Sequence, residues 1–151
     1  MPPTEDTTPP DLLARHRDRL PPIIKLLGVE LVAVALDRIE AKLTAREDMG
    51  NGVGILHGGA YMTFADFLGA LGTVINLPKG CSTTTVESKT NFFAPAPMGS
   101  EVIGVSTPLH RGRRTMVWQT RLTNPAGKLL AQVTQTQMVL EPAQPKAKQE
   151  G

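Results

Sequence analysis

The spacing of apolar residues changes character along this chain. Residues 11–20 place Leu12, Leu13, Arg15 and Arg19 on successive helical turns, and Pro21-Pro22 stops the pattern, so a short helix is predicted there. A further turn over 23–27 ends at Gly28. The period then becomes two. Residues 29–36 are apolar on both sides and read as a buried strand, while 38–42 alternate, with Ile39, Ala41 and Leu43 inward and Arg38, Glu40 and Lys42 outward. The two strands meet at Asp37, which makes them a hairpin. Four more strands are predicted over 82–93, 101–109, 115–123 and 128–140, separated by Pro/Gly-rich or Asn-Pro-Ala-Gly turns. Met116, Trp118 and Leu122 share one face, and Ile103, Val105 and Leu109 share another.

Between the strand groups lie residues 58–77, twenty positions with a single charge, Asp66. A membrane-spanning helix is rejected, because a central Asp disfavours insertion by about 2.5–3.5 kcal/mol. Gly58, Gly59, Gly69, Gly72, Thr63 and Thr73 lower the apolar content further. The segment instead predicts a helix roughly 30 Å long, buried almost all round, with Gly69 and Gly72 admitting neighbouring backbone. A small domain can surround such a helix only by curling a sheet around it. The order β-β-α-β-β-β-β therefore implies an α+β fold: one antiparallel sheet of six strands wrapped on one long helix.

Composition narrows the function. Sixteen Lys+Arg against 14 Asp+Glu give a net charge of +2, too little for the field of a nucleic-acid binder. The single cysteine, Cys81, excludes a disulfide framework and a Cys-based zinc site. Four prolines in the first ten residues, with acidic neighbours, do not make a signal or transit peptide. Flexible arms are expected over 1–10 and 141–151, flanking one domain over 11–140. A cytoplasmic enzyme or binding domain fits these limits, with no cofactor, metal, membrane or nucleic acid expected.

Asp66 is the first candidate for chemistry. A carboxylate amid apolar helix residues is costly unless paired or hydrogen-bonded, and no Lys or Arg lies within four residues of it. It is either a structural acceptor for a strand backbone or a neighbouring Thr, or a general base or nucleophile tuned by burial. The second candidate is the run from Met49 to Gly59, where five glycines fall between Gly50 and Gly59 and lead into the helix. Free N–H groups and the positive end of the helix dipole favour developing negative charge. Asn51 and His57 stand beside that entrance as hydrogen-bond donors. The alternative is an ordinary connector with His57 as a helix cap. A phosphate loop is excluded, since no Gly-Lys-Ser/Thr follows.

The string Asn51…His57-Gly58-Gly59, with Asp66 nine residues beyond the His, resembles the hotdog-fold acyl-CoA thioesterases, nearest their phenylacetate-type (PaaI-like) branch. The likeness continues through residues 85–93, Pro95-Ala96-Pro97, Gly99 and 127–132, and spans about 20–140. It implies that Asp66 activates water or attacks the thioester itself. Gly58 N–H would polarise the carbonyl, Asn51 would hold the thioester or the water, and His57 would steady the loop or touch the ligand. Thr85 would orient water, although Thr83 and Thr84 sit beside it. Gly59 would lie against the substrate. The turn holding Arg111, Arg113 and Arg114 is charged for coenzyme A phosphates, or is a solvated hairpin tip.

Geometry adds that Gly58 and Asp66 are about 12 Å apart along one helix and cannot both touch one thioester. A site using both requires a homodimer, and the resemblance implies a tetramer of two dimers. Two rivals are an acyl-thioester hydratase or dehydratase on the same fold, and an acyl-CoA-binding domain without catalysis. The spacing of His57 and Asp66 disfavours the first, and Asp66 itself the second. The acyl group is left open, as is coenzyme A against an acyl-carrier protein. Tyr61, Met62, Phe64, Phe67, Phe92 and Phe93 could line a tunnel or be plain core.

Overall fold

The computed structural model describes residues 12–142 of the 151-residue chain, so most of both expected arms lies outside the described residues. Helix α1 (Leu12–Arg17) ends three residues earlier than the sequence pattern suggested, and α2 (Pro22–Leu26) starts on a proline whose missing N–H costs a first turn nothing. Strands β1 (Glu30–Ala35) and β2 (Arg38–Thr44) form the predicted hairpin. Helix α3 spans Gly58–Val74, followed by β3 (Ser82–Phe92), β4 (Glu101–Arg111), β5 (Thr115–Thr123) and β6 (Leu129–Leu140). All pairings are antiparallel and the strand order is β1-β2-β4-β5-β6-β3, a single six-stranded sheet. Among the described residues, no helix is long and apolar enough to cross a membrane.

The alternation on β2 explains its side of the core. Ile39, Ala41 and Leu43 are buried, whereas Arg38 pairs with Glu40 and Lys42 with Glu101 on the solvent face. Such exposed pairs contribute little, about 0–1 kcal/mol each, so the apolar side decides the register. Facing it, Phe64 and Leu68 of α3 are wholly buried, each worth about 1.5–3 kcal/mol relative to exposure. Met116, Trp118 and Leu122 of β5 point inward as expected. On β4 the inward face is Val102, Gly104 and Ser106, leaving Ile103 and Val105 half-buried on the other side. A bulge near Pro108 leaves Leu109 mostly exposed.

The helix is not buried all round. Ala60, Tyr61, Phe64, Ala65, Leu68, Leu71 and Gly72 are covered, but Met62 and Val74 are 40% and 45% exposed and Asp66 is half-buried. A single sheet covers only one side of a helix, and the opposite stripe is left open. The close approach at the two glycines comes from side chains rather than backbone. A Cβ on Gly72 would lie 2.7 Å from the indole of Trp118, and one on Gly69 would collide with the amide of Gln135. Gly72→Ala should therefore destabilise the fold. Overpacking costs about 1–3 kcal/mol, more than the roughly 1 kcal/mol that Ala gains over Gly in a helix. A lower midpoint in urea denaturation is expected; an unchanged midpoint would show that the buried indole can move aside.

Strand β3 is an edge strand of eleven residues, paired on one side only, to β6. It carries a bulge at Val86, where Thr85 pairs with Gln137 but Glu87 pairs with Thr136. The extra residue reverses the alternation. Thr83 and Thr85 face α3 before it, and Ser88, Thr90 and Phe92, opposite the inward Gln135, Val133 and Ala131, face α3 after it.

Candidate active site

The glycine-rich loop is a built structure. A short 3-10 turn (Glu47–Met49) leads to a bridge between Gly50 and Leu56, and Asn51 Oδ1 accepts from Val53 N–H at 3.0 Å. A second bridge, Ile55 to Pro97, ties the loop to the β3–β4 connection. His57 caps α3: its Nδ1 accepts from Gly59 N–H at 2.8 Å. That bond satisfies one of the orphan donors of the helix start. Gly58 N–H makes no such side-chain bond among the described residues. The ring of Phe92 lies over Gly58, 3.2 Å from where a Cβ would sit.

This end of α3 opens onto a pocket of about 440 Å³, lined by Asn51, Gly58 and Tyr61 from one side and by Phe92, Phe93 and Pro95 from the other. Tyr61 stands edge-on to Phe92 with ring centroids 5.9 Å apart. Its hydroxyl is buried without a hydrogen-bond partner of good geometry among the described residues. Burial raises its pKa above the ordinary 10.0, and the nearby Ala96 backbone pulls weakly the other way. Of the six residues weighed as tunnel or core, Tyr61, Phe92 and Phe93 line this pocket, while Phe64 is core. Met62 is exposed on α3, and Phe67 lines a separate hollow with Leu20 and Val74.

Two turns further along α3, Asp66 sits in a second polar cluster. Thr85 Oγ1 donates to Asp66 Oδ1 at 2.8 Å, and Gln135 Nε2 donates to the same oxygen at 3.3 Å and to the Asp66 carbonyl at 3.2 Å. Gln137 Nε2 donates to Thr85 Oγ1 at 2.7 Å. Asp66 thus has the threonine bond of the structural alternative, on a carboxylate that is half-exposed rather than buried. Oδ1 carries both side-chain bonds, and Oδ2 has none among the described residues. Of the neighbouring threonines, Thr85 reaches Asp66, while Thr83 bonds Gln137 and the Met138 carbonyl. Asp66 does not line the Asn51–Gly58 pocket.

The sequence pattern described as the thioesterase superfamily matches residues 53–131, just over half the chain, from the glycine loop through α3 to the start of β6. The chain belongs to the thioesterase superfamily. Acyl-coenzyme A thioesterase 13 of Homo sapiens is 27% identical over 110 residues, covering 72% of this chain and 78% of that protein. The crystal structure of a thioesterase from Haemophilus influenzae superposes with a TM-score of 0.82 at 25% identity, covering 89% of this chain and 94% of that one. The PaaI protein of the E. coli phenylacetic acid degradation operon gives 0.78 at 19% identity, over 87% of this chain and 93% of that one, a likeness of fold. The hotdog architecture is therefore as expected, and the protein is a thioester hydrolase.

Some residues of this thioesterase stand differently from their sequence expectation. Gly59 N–H is occupied by the His57 ring, so it has no free donor for a ligand. Arg111 turns back onto the molecule, donating to Leu36 O at 3.2 Å and Asn76 Oδ1 at 3.3 Å. Arg113 and Arg114 are exposed, make no side-chain hydrogen bond or ion pair among the described residues, and border a hollow of about 480 Å³ with Met138, Val139 and Glu141. Gln135 and Gln137 are the residues that sequence reasoning missed. Both are 1% exposed. The signal was present: on β6 the positions of Ala131, Val133, Gln135 and Gln137 share a face, and two glutamines on a core face demand a reason.

Proposed function

We propose that this thioesterase hydrolyses acyl-CoA to a free acid and coenzyme A, with Asp66 as general base or nucleophile. The observation that carries the reading is the half-exposed Asp66 carboxylate held through Oδ1 by Thr85 and Gln135, with Oδ2 left to react. As a base, Oδ2 takes a proton from water as its oxygen bonds to the thioester carbon. The second water hydrogen can point to the remaining lone pair of Thr85 Oγ1. As a nucleophile, Oδ2 would attack the same carbon and water would release the acyl group. Either way the carbonyl oxygen gains negative charge, which Gly58 N–H and the unused Asn51 amide N–H groups can stabilise; one such donor is worth about 10²–10³ in kcat. Collapse breaks the C–S bond, and the coenzyme A thiolate takes a proton. His57, through its cap, steadies the loop that presents Gly58.

The same reading makes a homodimer the minimal active unit, with a tetramer of two dimers as the expected assembly. Two features support it: the roughly 12 Å between Gly58 and Asp66, and the long unpaired edge of β3 beside the open stripe of α3. The acyl group would enter the pocket under Phe92 and Phe93. Arg113 and Arg114 would meet the coenzyme A phosphates, and Arg111 would hold their turn in place. Thiol release from a panel of acyl-CoAs, with enoyl-CoA hydration followed in parallel, tests the activity. Release without hydration is expected; hydration alone would replace hydrolysis with the rival reaction. In the same assay, Arg113→Ala with Arg114→Ala should raise KM for acyl-CoA and leave an N-acetylcysteamine thioester unaffected. Equal losses on both substrates would make the turn structural.

A further inference from the structure

We propose that Gln135 and Gln137 are positioning residues that commit one oxygen of Asp66 to holding and so select the other as the reacting atom. The inference rests on the reading of Asp66 as base or nucleophile. Its warrant is that the direction of each hydrogen bond linking Asp66, Thr85, Gln135 and Gln137 is forced. Thr85 has one hydroxyl proton, and the carboxylate 2.8 Å away can only accept, so that proton lies on Asp66 Oδ1. Thr85 must then accept from Gln137, which has to present its NH2 group. Gln137 Oε1 consequently faces Thr83, whose hydroxyl is 3.0 Å away and can donate to it or to the Met138 carbonyl.

Gln135 is fixed by the same logic. Its amide nitrogen meets two acceptors, the carbonyl and Oδ1 of Asp66. Turning the amide over would set oxygen against oxygen. Its own Oε1 is left buried with no partner among the described residues, a loss of about 1–3 kcal/mol that stability alone would not retain. Gly69 adds an independent sign: any side chain there would occupy the space of this amide. Two donors on Oδ1 fix the torsion of the carboxylate and occupy that oxygen. Oδ2 then stands clear on the open side of α3, where a water or a thioester can reach it.

The test measures kcat and KM on one short acyl-CoA for Gln137→Met, Gln135→Met and Thr85→Val, each alone and combined with Asp66→Asn. Thr85→Val and Gln135→Met, which each remove a charge-assisted bond to Asp66, should lose about tenfold or more in kcat. Gln137→Met, which removes a neutral bond to Thr85, should lose about fivefold, with KM changed less than about twofold in all three. Thr85→Ser, which keeps the hydroxyl, should restore most of the activity. On the Asp66→Asn background the same changes should cost almost nothing further, because they act through the carboxylate. A folded Gln137→Met with near-parental kcat would overturn the inference, as would equal losses with and without Asp66. If Gln135→Met fails to fold, Gln137→Met and the Thr85 pair decide alone. Full activity in Asp66→Asn itself would instead refute the functional reading beneath, a separate outcome.

Discussion

Asp66→Asn should lower kcat by about 10²–10⁴, the usual scale for general acid–base work, while KM changes far less. The structure makes this a clean substitution. The Asn oxygen can still accept from Thr85 and Gln135, so the holding side of the group survives. Only the free oxygen is lost, replaced by an NH2 that can neither take a proton nor attack carbon. Stability should therefore change little, and a melting curve alongside the kinetics separates a lost base from a lost fold. Activity within threefold of the parent would remove Asp66 from the chemistry. If Asp66 is a nucleophile, the drop should be at the upper end of the range.

The second large effect is a recovery. Asn51→Ala and Asp66→Ala are each expected to be nearly inactive alone. If one site takes Asn51 and Gly58 from one chain and Asp66 from the other, a mixed dimer has one intact site and one carrying both lesions. Random assortment makes about half the dimers mixed, so roughly 25% of parental activity should return on co-expression or joint refolding. If both residues act within one chain, every site keeps a lesion and nothing returns. A mixture shown to exchange subunits that stays inactive would refute the shared site. The geometry favours recovery, because Asn51 lines the Gly58 pocket and Asp66 does not.

Much of the architecture was legible because local rules and global fold agree. The alternation of Ile39, Ala41 and Leu43 is the alternation that the sheet buries, and β5 runs from Thr115 to Thr123 as its pattern required. The long helix was legible from its near-absence of charge, but not its open side. Apolar residues at Met62 and Val74 look the same in sequence whether a sheet or nothing covers them. At the site, Asp66 stood out because a lone carboxylate on such a helix needs an explanation. Its partners did not, since Gln135 and Gln137 are uncharged and lie about seventy residues further along the chain. Nor could three consecutive threonines reveal which one reaches the helix. That depends on a bulge one residue beyond Thr85, which no alternation rule predicts.

That bulge divides one strand into two territories of inheritance. Before Val86, Thr85 turns to the acidic group; after it, Phe92 turns to Gly58 and the pocket. Without it, Thr85 and Phe92 could not both face α3, because seven residues is an odd spacing and would set them on opposite sides of the sheet. With it, Phe92 lines the pocket while Thr85 keeps its bond to Asp66. If Asp66 is the cleaving group and the acyl chain enters beside Phe92, as proposed, one strand serves both, and substrate range can change at its distal half with the cleaving end untouched.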